Sequence, residues 1–305
     1  MSRYIASRLL QMILAMFIVS VAVFFLVRLR GDPVALMVPA YYTQEQVDEL
    51  RRALGFDGPL YKQYLGFLRN ALLGDFGESF RYRRPAMDLV MEKLPWTYLL
   101  AGVSAIVALG IAIPLGILSA VKRNSILDLA STGMATLGAA LPNFWIGIML
   151  ILVFSVQLRV LPAFGAEGWK ALLMPAVTLG TGIAARLARL TRSAMLEVLS
   201  QDYVRTARSK GLAERWVIYR HALRNALIPV VTAFGLQLGW LLGGAVVVEQ
   251  VFAWPGLGRL MIEAIGVRDV VVVQAGVFWF ALSFILINLA VDVLYTLLDP
   301  RIRYT

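Results

Sequence analysis

The sequence is poor in the residues that most enzymes use for chemistry. It has no cysteine and one histidine, His221, in 305 residues, which excludes disulfides, thiolate metal sites and a two-histidine zinc-protease motif. No lysine follows a glycine, so the phosphate-binding loop G-x-x-x-x-G-K-[ST] is absent, and no G-x-S-x-G serine motif occurs. We therefore expect no catalytic, cofactor or metal site in this chain, and expect the energy for its work to come from another protein.

Charged residues are also scarce, at 16% of the chain against about 25% in soluble proteins. Hydrophobic residues make up 59%, the mean hydropathy is +0.73, and a helix that crosses a bilayer needs roughly 20 apolar residues. Six apolar blocks are candidate spans, at 9–27, 96–121, 129–158, 171–185, 225–248 and 270–291. The pattern predicts an all-α polytopic membrane protein with about six helices.

Two of these blocks have alternatives. The first could be a signal peptide, but it is longer than a typical hydrophobic region and no clear small-x-small cleavage site follows it. The fourth has only 15 residues before Arg186. We expect Arg186, Arg189 and Arg192 to extend the same helix past the membrane interface, where long side chains can reach the headgroups.

The positive charge is concentrated in one segment. The net charge is +10, and the stretch 186–224 holds nine arginines and lysines against three acidic residues. Cytoplasmic loops of membrane proteins carry such an excess. We therefore place this stretch in the cytoplasm, together with both termini and the turn at 122–123, and interpret the basicity as a topology signal rather than as nucleic-acid binding.

The stretch between the first two spans is expected outside and folded. Residues 30–93 hold nine basic and nine acidic residues. Thr43 and Gln46 form a possible capping box, and Gly55 would end that helix. A second amphipathic helix after 57–59 would precede Gly74 and lie on the membrane or on a partner. The predicted division is a first transmembrane helix at 1–29, an extracytoplasmic insertion at 30–94 and a transmembrane core at 95–305.

The basic segment is predicted to form two short helices separated by a glycine. A helix over 202–210 would begin with an acid and end with a base, which suits the helix dipole, and Gly211 could adopt the left-handed backbone that ends it. On charge pattern alone, a rigid projection and an ordinary solvated loop remain equally open.

This segment resembles the coupling loop of permease subunits of binding-protein-dependent ABC importers, in the dipeptide, oligopeptide, nickel and glutathione branch. Arg205-Thr206-Ala207 takes the place of E-A-A, Gly211 matches the glycine of the pattern, and His221-Ala222-Leu223-Arg224 stands where I-x-L-P is usual. The leading Glu and the Pro of the general pattern are both replaced, in the manner typical of the peptide branch.

Four further motifs extend the resemblance over nearly the whole chain. Arg30-Gly31-Asp32-Pro33 is similar to the branch's G-D-P, and Leu73-Gly74-Asp75-Phe76-Gly77 to its G-D-F/L-G. Segment 248–258, VEQVFAWPGLG, is similar to its outer turn, and segment 298–304, LDPRIRY, to its tail. Together with the loop, they stand in the order that the family shows.

The resemblance implies the transmembrane domain of a type I ABC importer, a non-catalytic subunit of the bacterial inner membrane. It would work with a homologous second permease, two ATP-binding subunits that carry ATP and Mg²⁺, and an extracytoplasmic solute-binding protein. The coupling loop would span 191–224. The residues expected to contact the ATPase are Asp202, Tyr203, Arg205, Thr206, Ala207, Arg208, Lys210, Gly211, Leu212 and His221. The implied substrates are short peptides, with glutathione favoured by the similarity of 83–85 and the Trp254 turn to glutathione-type permeases.

Residues for a gate or pathway are predicted less directly. Glu249 and Trp254 would shape an outer gate, and Asn288 with Asp292 would form a gate or a packing contact on the last span. Gly235, Gly239 and Gly243 form a small-residue strip for helix packing. The alternatives are a stand-alone secondary transporter or channel, a polytopic membrane enzyme, and an exporter. The first would transport without an ATPase, and the second would need a catalytic constellation.

Overall fold

The structure is a computed structural model that describes residues 2–28, 43–53 and 57–298. The motif at 30–33, the expected helix stop at Gly55 and the tail motif after Leu298 lie outside these residues. The described residues form helices and connecting turns without a β-sheet; one isolated bridge joins Glu78 and Pro85. The all-α prediction is confirmed.

The helices are numbered in chain order. Four precede the turn at 122–125: α1 (Ser2–Arg28), α2 (Gln44–Ala53), α3 (Leu60–Leu72) and α4 (Ala86–Val121). Five lie in the middle of the chain: α5 (Ile126–Ala140), α6 (Asn143–Gln157), α7 (Lys170–Leu199), α8 (Asp202–Ser209) and α9 (Glu214–Val251). The last two are α10 (Leu257–Gly266) and α11 (Val270–Leu298). The end of α6 and the start of α9 contain π-helical stretches, at Ile151–Gln157 and Val217–Ala222.

Five of these helices, α1, α4, α7, α9 and α11, are long and apolar enough to cross a membrane. The pair α5 and α6 adds a sixth span if it is counted as one. Helix α7 corresponds to the fourth predicted span. It runs for 30 residues and includes Arg186 and Arg192, so the helix continues past its apolar block as predicted.

The third span, at block 129–158, is sharply bent at Pro142, where a proline inside a span predicts a kink. Helices α5 and α6 meet at an angle of 109°. Leu141 is extended, with φ −78° and ψ 134°, because the ring of Pro142 disfavours a helical conformation in the residue before it. Pro142 then stands at the N-cap of α6.

The chain divides into two compact units, and the divisions fall inside α4, between α9 and α10, and inside α11. The first unit contains α1–α3, the start of α4, α10 and most of α11. Its core joins Leu89 and Val90 of α4 to Leu257 and Val272. Ser79 donates a hydrogen bond of 2.5 Å to the buried Asp269 carboxylate, which also accepts from the Val272 amide at the start of α11.

The insertion helices of the first unit form as the sequence predicts. The Thr43 amide donates to Gln46 Oε1 at 3.0 Å, and the Gln46 amide donates to Thr43 Oγ1 at 3.4 Å, which completes the capping box. Gly74 follows α3 with φ +78°. Helix α3 packs on α1 of its own chain: the hydroxyls of Tyr64 and Ser20 are 2.7 Å apart, and the rings of Phe67 and Phe24 are in contact.

The second unit is built around α7, which packs against α5, α6 and α9. Its buried face is rich in small residues, and α4 approaches it closely at two glycines. A Cβ added at Gly180 would lie 2.8 Å from the Ser104 carbonyl oxygen, and one at Gly116 would lie 2.5 Å from the side chain of Thr191. Of the small-residue strip predicted on α9, Gly235 and Gly239 are buried, whereas at Gly243 an added Cβ would meet nothing within 4 Å.

This packing makes a prediction about stability. Gly180→Leu should lower the melting temperature of the purified protein, because overpacking a close contact costs about 1–3 kcal/mol. Gly133→Leu on α5 is the control, since an added Cβ there meets nothing within 4 Å. Thermal unfolding in detergent compares the two; equal melting temperatures would show that α4 and α7 are not in contact at Gly180.

Candidate functional site

The short helix α8 packs on the ends of two long helices, α7 and α9, and we call this apolar contact the seat of α8. Val204 and Ala207, three residues apart on one face, are buried against Val217 of α9 and against Val198 and Leu199 at the end of α7. Because one turn separates the two buried positions, the seat uses one face of a helix of only eight residues. The position of α8 is therefore tied to α7 and α9 together.

The opposite face of α8 is exposed. Tyr203 on this face and Leu212, three residues after the end of the helix, leave 43% and 42% of their surface open. The other exposed residues of the set are Asp202, Arg205, Thr206, Arg208, Lys210 and Gly211. Of the ten residues predicted for ATPase contact, Ala207 is buried in the seat and His221 is half-buried on α9. The remaining eight are all exposed, and we call them together the α8 face.

The end of α8 is fixed by backbone geometry. Gly211 has φ +75°, its amide donates to the Arg208 carbonyl at 2.9 Å, and the Leu212 amide donates to the Ala207 carbonyl. These two bonds form a Schellman motif, which requires a left-handed residue at the position of Gly211. An added Cβ would meet nothing within 4 Å, so the requirement for glycine comes from the backbone and not from space.

An ion pair crosses this turn. Arg208 donates from Nη2 and Nε to the two carboxylate oxygens of Glu214, at 2.7 and 3.2 Å. The hydrogen bond to Glu214 raises the pKa of the Arg208 guanidinium above its ordinary value. The pair is exposed and contributes little to stability, but its two-pronged geometry fixes α8 relative to the start of α9.

A second polar contact joins α8 to α9. Asn225 donates from Nδ2 to the Tyr203 hydroxyl at 2.8 Å, and also to the carbonyl of His221 at 3.2 Å. The sequence predicted a second short helix after Gly211. In the structure that segment is instead the beginning of α9, because no glycine or proline interrupts the chain between Glu214 and Leu223.

A buried carboxylate on α5, with its hydrogen-bond donors on α4, the following turn and α7, forms a cluster that we call the carboxylate clamp. It was not among the residues predicted from the sequence. Asp128 of α5 is 5% exposed and accepts hydrogen bonds from Arg192 Nε and Nη2 at 2.7 and 2.8 Å. It also accepts from the Ser119 hydroxyl on α4 and from the Asn124 amide at 2.9 Å. One carboxylate thus ties α4, the following turn, α5 and α7 together.

The clamp had a signal in the sequence. Asp128 is the only acidic residue between Glu92 and Glu167, and an isolated carboxylate beside an apolar span is a functional-site hypothesis by default. Sequence reasoning began the third span at residue 129 and so left Asp128 out. Its partner Arg192 was counted with the exposed basic residues of the segment.

The residues predicted for a gate are held inside the protein. Glu249 is buried and accepts a hydrogen bond from Thr97 of α4 at 2.6 Å. Trp254 is buried, donates from Nε1 to the Trp96 carbonyl at 3.0 Å and packs edge-on against the Trp96 ring. This turn is therefore locked to the start of the second span.

The other two residues of this set lie on the last span. Asn288 donates to the Phe284 carbonyl of its own helix at 2.9 Å, and Asp292 is half-buried. A gate role for these four residues stays a prediction. Among the described residues, no group of three or more His, Asp or Glu side chains could hold a metal ion.

Comparison with known proteins gives matches along the whole chain. A family described as "Binding-protein-dependent transport system inner membrane component" matches residues 112–304, and the N-terminal component of such systems matches residues 1–101. The glutathione transport system permease protein GsiC of Escherichia coli strain K12 is 47% identical over 305 residues, covering 100% of both chains. The protein of the same name from Shigella flexneri serotype 5b has the same identity and coverage.

Solved structures show the same fold. Two inward-facing crystal forms of the MetNI methionine ABC transporter contain a chain that aligns with this one at TM-scores of 0.57 and 0.56, with 23% and 22% sequence identity. Each alignment covers 70% of this chain and 97% of the other. The predicted fold, a type I ABC importer transmembrane domain, is confirmed.

The clamp generates a prediction about folding. Asp128→Asn and Arg192→Gln should each lower the melting temperature, because each leaves the other group without its charged partner. The double variant should lose less than the sum of the two single losses, because residues of one network are not additive. Arg189→Gln, on the same helix, is the control. Thermal unfolding in lipid nanodiscs measures all four; strictly additive losses would contradict the clamp.

Proposed function

This chain belongs to the family of binding-protein-dependent transport system inner membrane components, and we propose that it transmits ATP-driven motion to a translocation pathway for short peptides. The chain is a multi-pass permease subunit of an ABC importer in the inner membrane. Support for the proposed motion comes from the contacts of α8 with two long helices, and support for the substrate comes from the similarity to glutathione permeases.

The partners are inferred from what this chain contains and what it lacks. It has membrane helices and an exposed α8 face but no phosphate-binding loop, so ATP and Mg²⁺ bind to two separate ATP-binding subunits. A homologous second permease completes the pathway, and a solute-binding protein delivers the substrate from outside. The termini and the α8 face are cytoplasmic, in agreement with the basic segment that surrounds α8.

The α8 face sits in a groove on one ATP-binding subunit. The observation that carries this proposal is the double attachment of α8: Val204 and Ala207 pack against the ends of both α7 and α9. A displacement of α8 must therefore displace two transmembrane helices together. The Schellman turn at Gly211 and the Arg208–Glu214 pair prevent α8 from rotating on its seat, which transmission between rigid elements requires.

The substrate is a short peptide, with glutathione as the specific candidate. Relatives named as glutathione transport permeases are 47% identical to this chain from end to end. The delivering protein sets much of the selectivity, and the permease supplies a pathway that tolerates the same chemistry.

Purification and reconstitution test this function. The tagged chain, purified from membranes of cells that express its neighbouring transport subunits, should retain a second permease and two ATP-binding chains, detected by mass spectrometry. Vesicles that contain this complex and the binding protein should accumulate glutathione only when ATP is supplied on the α8 side. Accumulation by this chain alone would instead support a secondary transporter or a channel.

A substitution at Gly211 tests the transmission step. Gly211→Val should abolish ATP-dependent uptake, because a branched residue in the left-handed conformation costs about 1–2 kcal/mol or more and would unwind the turn. Gly211→Asn should retain uptake, since asparagine tolerates this conformation. The binding protein's affinity for substrate should be unchanged in both. Normal uptake with Gly211→Val would refute the role of the turn.

A further inference from the structure

An open-sided groove of about 870 Å³ runs among α5, α6, α7 and α9, inside the second unit. Its lining includes Asn143 of α6, Gly182 and Arg186 of α7, and Gln237, Trp240 and Gly243 of α9. None of Glu249, Trp254, Asn288 or Asp292, the residues predicted for a gate or pathway, belongs to this lining. The groove is therefore a feature that the gate hypothesis did not include.

Arg186 is the only charged residue in this lining. Its Nε donates a hydrogen bond of 2.6 Å to Gln237 Oε1, which fixes the plane of the guanidinium. Within the described part of the chain, its two terminal nitrogens have no hydrogen-bond partner, and the side chain is exposed in the groove. Four N–H groups thus remain on the two terminal nitrogens, and two of them are parallel and can bind one ligand group together.

The hydrogen bond to Gln237 also indicates how deep in the membrane the Arg186 guanidinium lies. Gln237 stands at the centre of the uncharged run 226–248 of α9, eleven residues or about 16 Å from either end. The sequence placed Arg186 at the cytoplasmic interface, whereas the structure puts it level with the middle of a span. An arginine at that depth faces water or a ligand and not lipid, because lipid would leave its charge unsolvated.

Small residues keep the groove open around this arginine. A Cβ at Gly243 would meet nothing within 4 Å, and one at Gly182 would lie 3.7 Å from Asn143 Oδ1. The Asn143 amide therefore stands beside α7 as a further polar group. A guanidinium held in one plane, with two parallel donors, matches the geometry of two anionic groups that are common in small metabolites, carboxylate and phosphate.

We propose that Arg186, oriented by Gln237, is the anion-recognition point of this chain's half of the translocation pathway, where it binds a carboxylate of the passing substrate. The substrate class rests on the proposed function, since peptides and glutathione carry free carboxylates.

The absence of cysteine from this chain allows a direct test of the charge in the groove. Gly243→Cys is introduced with Arg186 and with Arg186→Gln, in membranes that contain the complete importer. Each is treated with an anionic thiol reagent, sulfonatoethyl methanethiosulfonate, and with its cationic trimethylammonioethyl counterpart. The anionic-to-cationic rate ratio should fall about fivefold when the arginine is removed, as expected for a unit charge within the same groove.

The control is Gly266→Cys at the exposed end of α10, where an added Cβ also meets nothing within 4 Å. Its rate ratio should not respond to Arg186→Gln. A ratio at Gly243→Cys that is the same with and without the arginine would overturn the inference. Failure of both reagents to label Gly243→Cys would overturn it too, because the groove would then not be open to water.

Transport gives the second readout. In vesicles with the complete importer, Arg186→Gln should reduce glutathione uptake about tenfold or more, the loss expected when a charged hydrogen bond is removed. Arg186→Lys should recover part of the uptake, and Arg189→Gln should match the unsubstituted protein. ATP hydrolysis stimulated by the loaded binding protein should persist in Arg186→Gln, because the α8 face is unchanged.

The outcomes separate this inference from the proposed function. An unsubstituted importer without ATP-dependent uptake would contradict the proposed function, while the thiol rate ratio would still test the groove. An active importer in which Arg186→Gln transports glutathione at the normal rate would leave the proposed function standing and eliminate the arginine as a recognition point.

Discussion

The contact on which the rest of the structure depends is the apolar seat under α8. A helix of eight residues is too short to be stable alone in water, so α8 exists only because Val204 and Ala207 bury one face against α7 and α9. The same burial turns the opposite face outward. An exposed polar surface and an attachment to two spans are thus consequences of one small packing interaction.

The carboxylate clamp compensates the unfavourable burial of a charge. A charge beside an apolar span is unfavourable unless it is paired and hydrogen-bonded, and Asp128 meets that requirement with Arg192, Ser119 and the Asn124 amide. Because its partners come from different helices, the pairing also fixes those helices relative to one another. The apolar seat sets where α8 lies, and the clamp sets the position of the helix that leads into it.

The sequence predicts those features that have a local cause. The capping box at Thr43, the left-handed stop at Gly211 and the long basic helix containing Arg192 each follow from a few neighbouring residues. The proline at 142 also predicts a kink in the third span, although not an angle as large as 109°. The pairing of Asp128 with Arg192 and the depth of Arg186 do not follow in this way. Both depend on contacts between residues that are 64 and 51 positions apart in the chain, which no local pattern encodes.

Helix α7 brings these features onto one rigid body. Arg186 of the groove and Arg192 of the clamp lie six residues apart, about 9 Å along its axis, and the helix ends at Leu199 beside the seat of α8. The helix cannot bend freely over that distance, since its buried face packs against α5, α6 and α9. A force applied at α8 therefore reaches the groove as a displacement of the helix that carries its one charge. Helix α9 carries the partner Gln237 and is attached to α8 as well, so a displacement that moves α7 and α9 together would keep Gln237 beside the guanidinium.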